Sequence, residues 1–209
     1  MKETVSGIRP YHHGDLRRAL REAAAGLLES TGPAALSLRE IAREAGVSHA
    51  AAYRHFADKE SLLAELAEDG FRLLLEETRA AMAARRRGGP LGQLQACGRA
   101  YVAFGVGRPH LLQLMFGAAI PDWSVHPGLV KASGDLAAQL AGVVADGQAH
   151  GVIRSGSVGD LALTAWSLVH GLALLAAGRR IPGASVDDAF VQRAARRATR
   201  LLLDGLRRR

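Results

Sequence analysis

The side chains from Ser37 to Phe56 have the types and spacing of a unit that reads DNA. Ser37 and Glu40 stand three apart, the capping-box pattern that starts a helix. Leu38, Ile41, Ala42 and Ala45 follow at helical spacing and give that helix one apolar face. Gly46 supplies the left-handed or otherwise tight conformation that stops it. Ser48 caps a second helix whose first turn, His49-Ala50-Ala51, is small and expected to be exposed. Two short helices joined by a tight turn are the arrangement that lays a helix in a major groove. There the His49 imidazole can donate to or accept from a base edge, and Ala50 can pack on a thymine methyl group. Tyr53 offers a hydroxyl to a phosphate while its ring rests on the helix pair, and His55 is placed for a phosphate in the same way. Ser37 and Ser48 can cap, present hydroxyls and helix-start N–H groups to phosphates, or do both. Phe56 is expected in the core.

The elements that hold these residues follow from composition and punctuation. The chain has 209 residues, room for one large domain or two small ones. Hydrophobic residues make up 48% and aromatics only 5%. The core is therefore mainly Ala, Leu and Val, and the scarcity of β-branched runs predicts an all-α fold. Pro10, Pro33, Pro90, Pro109, Pro121, Pro127 and Pro182 fall where helices begin or loops run. About nine helices fit between them. The first runs from about Gly14 to Ser30, with Leu16, Leu20, Ala23, Leu27 and Leu28 inward. The second and third are the pair above. Asp58 caps a long fourth helix reaching about Arg85, and Gly88-Gly89-Pro90 starts the fifth, with Leu94, Cys97, Tyr101 and Phe104 on one face. A short sixth follows Pro109 and carries Leu111, Leu114, Met115 and Phe116. Residues 117–127 read as a loop. The seventh spans roughly Gly128 to His150, with Leu136, Leu140, Val143 and Val144 inward. Ser157 with Asp160 caps the eighth, and Ser185 with Asp188 the ninth.

Val47-Ser48, Tyr53, His55-Phe56, Lys59 and Leu62-Leu63 resemble the signature of the TetR family of bacterial transcriptional regulators. An amphipathic helix ending at Thr31-Gly32 precedes them, and the motifs cover roughly residues 12–65. Trp166-Ser167-Leu168-Val169-His170-Gly171 is similar to the Trp-xxx-His-Gly (WHG) motif of one group of TetR C-terminal domains. The resemblance implies nine helices, with an N-terminal three-helix reading domain at residues 1–60. Residues 61–209 would form a C-terminal domain for effector binding and dimerisation, with the fourth helix as the link. Lys59 matches the family's lysine just past the recognition helix, which meets the DNA backbone. The implied function is a ligand-responsive regulator, usually a repressor, that binds a palindromic double-stranded operator as a homodimer. The alternative is a DNA-binding regulator or architectural protein without an effector. A cavity rather than tight packing in the C-terminal domain distinguishes the two.

The eighth helix is apolar on two sides. Leu161, Ala165, Leu168, Leu172 and Leu175 form one seam, and Trp166, His170, Ala173 and Ala177 another, so it is buried between its own domain and something else. The ninth offers Phe190, Ala194, Ala198, Leu201 and Leu202. The natural partner is the same helix pair from a second copy, giving a two-fold four-helix interface. Burial within one subunit is the other reading. Away from that interface, Tyr101, Phe104, Leu114, Met115, Trp123, Trp166 and His170, together with Phe116, have the composition of a pocket for a small apolar effector and equally of a packed core. His170, a polar group in an apolar stripe, either bonds an effector or is satisfied within the core.

Other classes find little support. A net charge of +7 and a sequence pI near 10.4 favour an anionic partner. Residues 1–60, however, hold nine Lys or Arg against eight Asp or Glu. The excess lies largely in the last helix and in Arg85-Arg86-Arg87, read as a solvated helix end, so the motif carries the argument for DNA. There is no nucleophile motif, metal-spaced cluster or phosphate-cradling Gly-rich loop, so neither an enzyme nor a cofactor or metal site is expected. His12 and His13 project differently on a helix and are read, with Arg9 and Tyr11, as an arm rather than a metal pair. Cys97, the single cysteine, excludes an internal disulfide and is read as a core residue rather than a redox sensor. Neither a membrane-spanning apolar run nor a secretory segment at Met1-Lys2-Glu3-Thr4 is recognised, so a cytoplasmic protein is expected.

Overall fold

The structure, a computed structural model, describes residues 13–181 and 186–207. The arm residues Arg9, Tyr11 and His12, and the expected cap Ser185, lie outside them. Among the described residues there are nine α-helices. They are α1 (His13–Thr31), α2 (Leu38–Glu44), α3 (His49–Tyr53), α4 (Lys59–Ala83), α5 (Gly89–Gly107), α6 (Pro109–Phe116), α7 (Pro127–Ala149), α8 (Val158–Ala177) and α9 (Asp188–Leu206). Single 3-10 turns at Arg86–Gly88 and Trp123–Val125 interrupt the connections, the second inside the stretch expected to be loop.

Local chemistry accounts for the starts. Ser37 and Ser48 accept the N–H groups of Glu40 and Ala51, each at 3.2 Å. Asp58 accepts both the N–H and the hydroxyl of Ser61, which holds its carboxyl below the usual range. Ser157 caps α8 through Asp160 N–H, as expected. For α9 the cap is Asp187, which accepts Phe190 N–H at 2.6 Å, rather than the Ser185–Asp188 pair. Prolines open α5, α6 and α7, where a missing N–H costs no helical bond.

One cluster of the hydrophobic core includes residues from both expected halves, which α4 was expected to link. It runs from Leu20, Ile41 and Phe56 through Leu62, Leu63 and Phe71 on α4 to Phe104, Leu112 and Ala173. A second cluster, including Leu94, Val144, Leu161 and Leu203, closes the far end. α4 is the spine: its first turns lie in the reading domain, and the rest packs against α5, α6 and α7.

Three expectations about faces change. On α7 only Val144 of the four expected inward residues is fully buried, with Leu129 and Ala132 filling the core instead. Leu136 and Leu140 are half-buried because they face a cavity. On α8 the buried stripe is Leu161, Ala162, Ala165, Val169, Ala173 and Ala176, while Leu168 and Leu175 are exposed. A seam spaced at threes and fours has a period of 3.5 and drifts by about 20° per heptad on a straight helix. Ala173, expected on a seam beside a partner, instead lies against α5 at Gly105. Finally, α8 is long and apolar enough to cross a membrane, with 20 residues and mean hydropathy 1.5, where no such run was expected. In the fold it packs on α5, α7 and α9, with 28% of its apolar window buried.

Candidate nucleic-acid interface and apolar cavity

α3 is short, and its orientation is set by two inward alanines. Ala51 and Ala52 are buried against the rest of the unit, so the exposed part of the first turn is His49 and Ala50, without Ala51. The preceding turn depends on Gly46 at φ +68°, a conformation costly for residues with a Cβ. Tyr53 is 49% exposed, more than a core role would allow, and the His49 ring meets it edge-on at 4.7 Å. His55 and Lys59 are half-buried where α3 passes into α4, and Phe56 is buried.

Several contributors were not anticipated. Arg17 of α1 donates to the His55 carbonyl at 2.8 Å, stacks over the Phe56 ring at 4.5 Å and pairs with Glu65 of α4. It therefore ties the end of the reading helix to both flanking helices. Arg39 and Arg43, four apart on the outward face of α2, line a shallow depression with Ser37, Glu40, Val47 and His49. Their i, i+4 spacing was visible in the sequence. Arg54 is exposed one residue past α3. Ser48, His49, Ala50 and Tyr53 are exposed in this region and Ser37 is half-buried, with arginines around them. That combination suits phosphate positioning and base reading.

Beyond α4 lies a cavity of about 800 Å³. Phe71 and Thr78 of α4, Cys97 and Tyr101 of α5, Leu136 and Gln139 of α7, and Trp166 and Val169 of α8 form its walls, with Trp123 from the loop. Exposed Val130 and Leu163 also line it, so it reaches the surface beside α7 and α8. At one end Trp166 Nε1 donates to the Tyr101 hydroxyl at 3.1 Å, and that hydroxyl lies 2.8 Å from His170 Nδ1. With His170 neutral and Nδ1 unprotonated, the Tyr101 hydroxyl accepts from Trp166 and donates to Nδ1. Burial lowers the pKa of His170, favouring that neutral form, and raises the pKa of Tyr101. At the other end Gln139 donates to Thr78 Oγ1 at 2.8 Å. Burial pushes the adjoining Cys97 thiol up to about 11, with the Gln139 amide acting the other way.

Residues 94–201 match the family profile described as the tetracyclin repressor-like C-terminal domain, and residues 20–66 that of bacterial regulatory proteins of the tetR family. The chain belongs to the TetR family. This TetR-family transcriptional regulator, a DNA-binding protein, is 36% identical to a protein of unknown function from Rhodococcus sp. RHA1. The two folds agree at a TM-score of 0.82, over 96% of this chain and 100% of that one. The TetR-family regulator PfmR from Thermus thermophilus shares the fold at a TM-score of 0.67 and 22% identity, over 91% of this chain and 100% of PfmR. An uncharacterised HTH-type transcriptional regulator from Haemophilus influenzae is 37% identical over 78 residues, which span 37% of this chain and 38% of that protein.

Of the eight residues expected to have the composition of a pocket, the TetR-family chain brings Tyr101, Phe116, Trp123 and Trp166 to the cavity. His170 stands behind Tyr101 and is not part of the lining. Phe104, Leu114 and Met115 are at most 1% exposed and pack in the core instead. The reason is the close seat of α6 on α4: Gly70 has no side chain, and a Cβ there would stand 2.8 Å from Met115 Sδ. Thr78, Gln139 and Leu136 lie at the cavity unpredicted, because nothing local in their segments marks which side of a helix is left unfilled.

Proposed function

We propose that this TetR-family regulator binds a palindromic operator as a homodimer, acts as a repressor in the cytoplasm, and is released by a small apolar effector held in the cavity. The observation that carries this reading is the shared helix. α4 begins beside the reading surface at Lys59 and supplies Phe71 and Thr78 to the cavity wall. A molecule filling the cavity bears on the same rod that positions the recognition unit. Open space of about 800 Å³ also favours an effector over an effector-free regulator, which needs only tight packing.

The proposed DNA contacts are Ser37, Ser48, His49, Ala50, Tyr53, His55 and Lys59, with His49 and Ala50 on bases and the rest on the backbone. The Trp166-xxx-His170-Gly171 stretch, the likeness to the WHG group, serves here as a structural clasp: both aromatic groups meet through Tyr101. Dimerisation through α8 and α9 draws support from apolar residues left on their outer faces. Leu168, Leu174 and Leu175 are exposed on α8, and Leu201 is 63% exposed on α9. A Cβ at Gly171 or Gly205 would meet nothing within 4 Å, which leaves room for close helix approach.

The test is footprinting on the DNA upstream of the protein's own gene, followed by operator binding with and without candidate apolar compounds. Protection of two half-sites spaced by about 34–36 Å, lost when a compound binds, is the expected result. Operator binding that no cavity-filling compound alters removes the effector from the reading.

A further inference from the structure

The cavity's chemistry narrows what it takes. Among the described residues its lining carries no Asp, Glu, Lys, Arg or His. The two ionisable groups present, Cys97 and Tyr101, are both pushed by burial toward their neutral forms. A ligand charge placed there would lie in an apolar surround without a counter-charge, which is strongly unfavourable. An apolar cavity of 150 Å³ accommodates a benzene, so about 800 Å³ sets an upper bound on the order of five such rings.

The polar atoms of the lining are specific in kind. Its four hydroxyls are already engaged as donors: Thr78 to the Leu74 carbonyl, Ser133 to that of Val130, Thr199 to that of Ala195, and Tyr101 to His170. The Gln139 amide gives a hydrogen to Thr78. Its oxygen, Oε1, is buried and has no hydrogen-bond partner among the described residues. The Cys97 thiol stands beside this amide, but S–H is a weak donor. A buried acceptor left unpaired costs on the order of the desolvation of that group. Oε1 is closed off, so a ligand donor recovers that cost by drawing the Gln139 amide toward it.

We propose that the effector is an uncharged, largely apolar molecule carrying a hydroxyl or N–H group that donates to Gln139 Oε1, with its apolar body against the aromatic wall that Trp166 and Trp123 belong to. This rests on the reading of the cavity as the effector site. Both tryptophans of the chain line the cavity, so intrinsic fluorescence reports on its occupancy. The experiment titrates the full-length protein with biphenyl, 4-hydroxybiphenyl, 4-methoxybiphenyl and biphenyl-4-carboxylate at pH 7.5, excited at the red edge of tryptophan absorption. The hydroxyl compound should bind about tenfold tighter than biphenyl or the methyl ether, and the carboxylate more weakly than any of them. In Gln139→Met, near in size but without the acceptor, hydroxyl and ether should bind alike. Equal binding of hydroxyl and ether by the wild type overturns the proposal, as does a hydroxyl preference that survives Gln139→Met or a carboxylate that binds as well as the alcohol. The cavity would then still hold apolar ligands. If none of the four compounds alters the fluorescence, the effector-site reading itself falls.

Discussion

At the scale of single residues, two kinds of DNA contact predict two kinds of defect. His49→Ala should weaken operator binding by about 1–3 kcal/mol and relax preference at one base position per half-site. Lys59→Ala should weaken binding to all sequences alike and lower the salt slope by about one unit. Quantitative binding to randomised operators at several salt concentrations separates the two. The exposure of His49 and Ala50 was legible in advance because the cap that orients them, Ser48, is adjacent in sequence. The Arg17 clamp was not: its partner carbonyl is 38 residues away, and nothing near Arg17 announces it. His170 predicts a pH dependence. Its pKa is depressed by burial, so its contribution to stability is present above the unfolded value of about 6.5 and is lost as pH falls through the lower folded value. Melting temperature should therefore decline below about pH 6.5. In His170→Gln, which keeps an acceptor for Tyr101, that decline should be shallower. Identical pH profiles would mean that His170 titrates equally in the folded and unfolded chains.

At the scale of elements, helix existence was written locally and helix facing was not. Capping serines and aspartates, and prolines at helix starts, placed most boundaries within a few residues of where they fall. Which stripe of α8 turns inward depends on α5, some seventy residues earlier, through a close approach between Gly105 and Ala173. A Cβ on Gly105 would stand 2.8 Å from Leu112 Cδ2 and 3.0 Å from Ala173 Cβ. Gly105→Ala should destabilise the protein by about 1–2 kcal/mol, since overpacking outweighs the gain in helix propensity. Denaturant unfolding measures this, and an unchanged midpoint would show that α8 shifts freely. The position of the cavity was equally illegible, because a void is set by the gap between α7 and its neighbours rather than by any residue's own pattern.

At the scale of the whole molecule, the proposed dimer and the proposed switch are linked. Leu175→Glu alters an exposed position and should leave the fold intact while yielding monomers in sedimentation, with operator affinity falling because one half-site binds weakly. Ala173→Glu should instead unfold the chain, as that position is fully buried against α5. A Leu175→Glu protein that remains dimeric would move the interface elsewhere. For the switch, reciprocity is obligatory. An effector that weakens operator binding about 100-fold implies a coupling of about 2.7 kcal/mol, and operator DNA must weaken the effector equally. Trp166→Ala should blunt that coupling while leaving unliganded DNA affinity nearly unchanged, in paired titrations of effector with and without operator.

The uninterrupted core along α4 bears on how such regulators can be recombined. A splice at residue 60 would sever Phe56 and Leu20 from Leu62 and Leu63 and leave both pieces with raw apolar faces. The bond from His110 on α6 to the Glu29 carbonyl would be divided as well. A reading head transplanted onto another sensor must therefore carry the opening turns of α4 with it, together with a receiving surface shaped like α6. Exchange of operator preference between relatives is easier through the exposed side chains of α3 than through wholesale grafting.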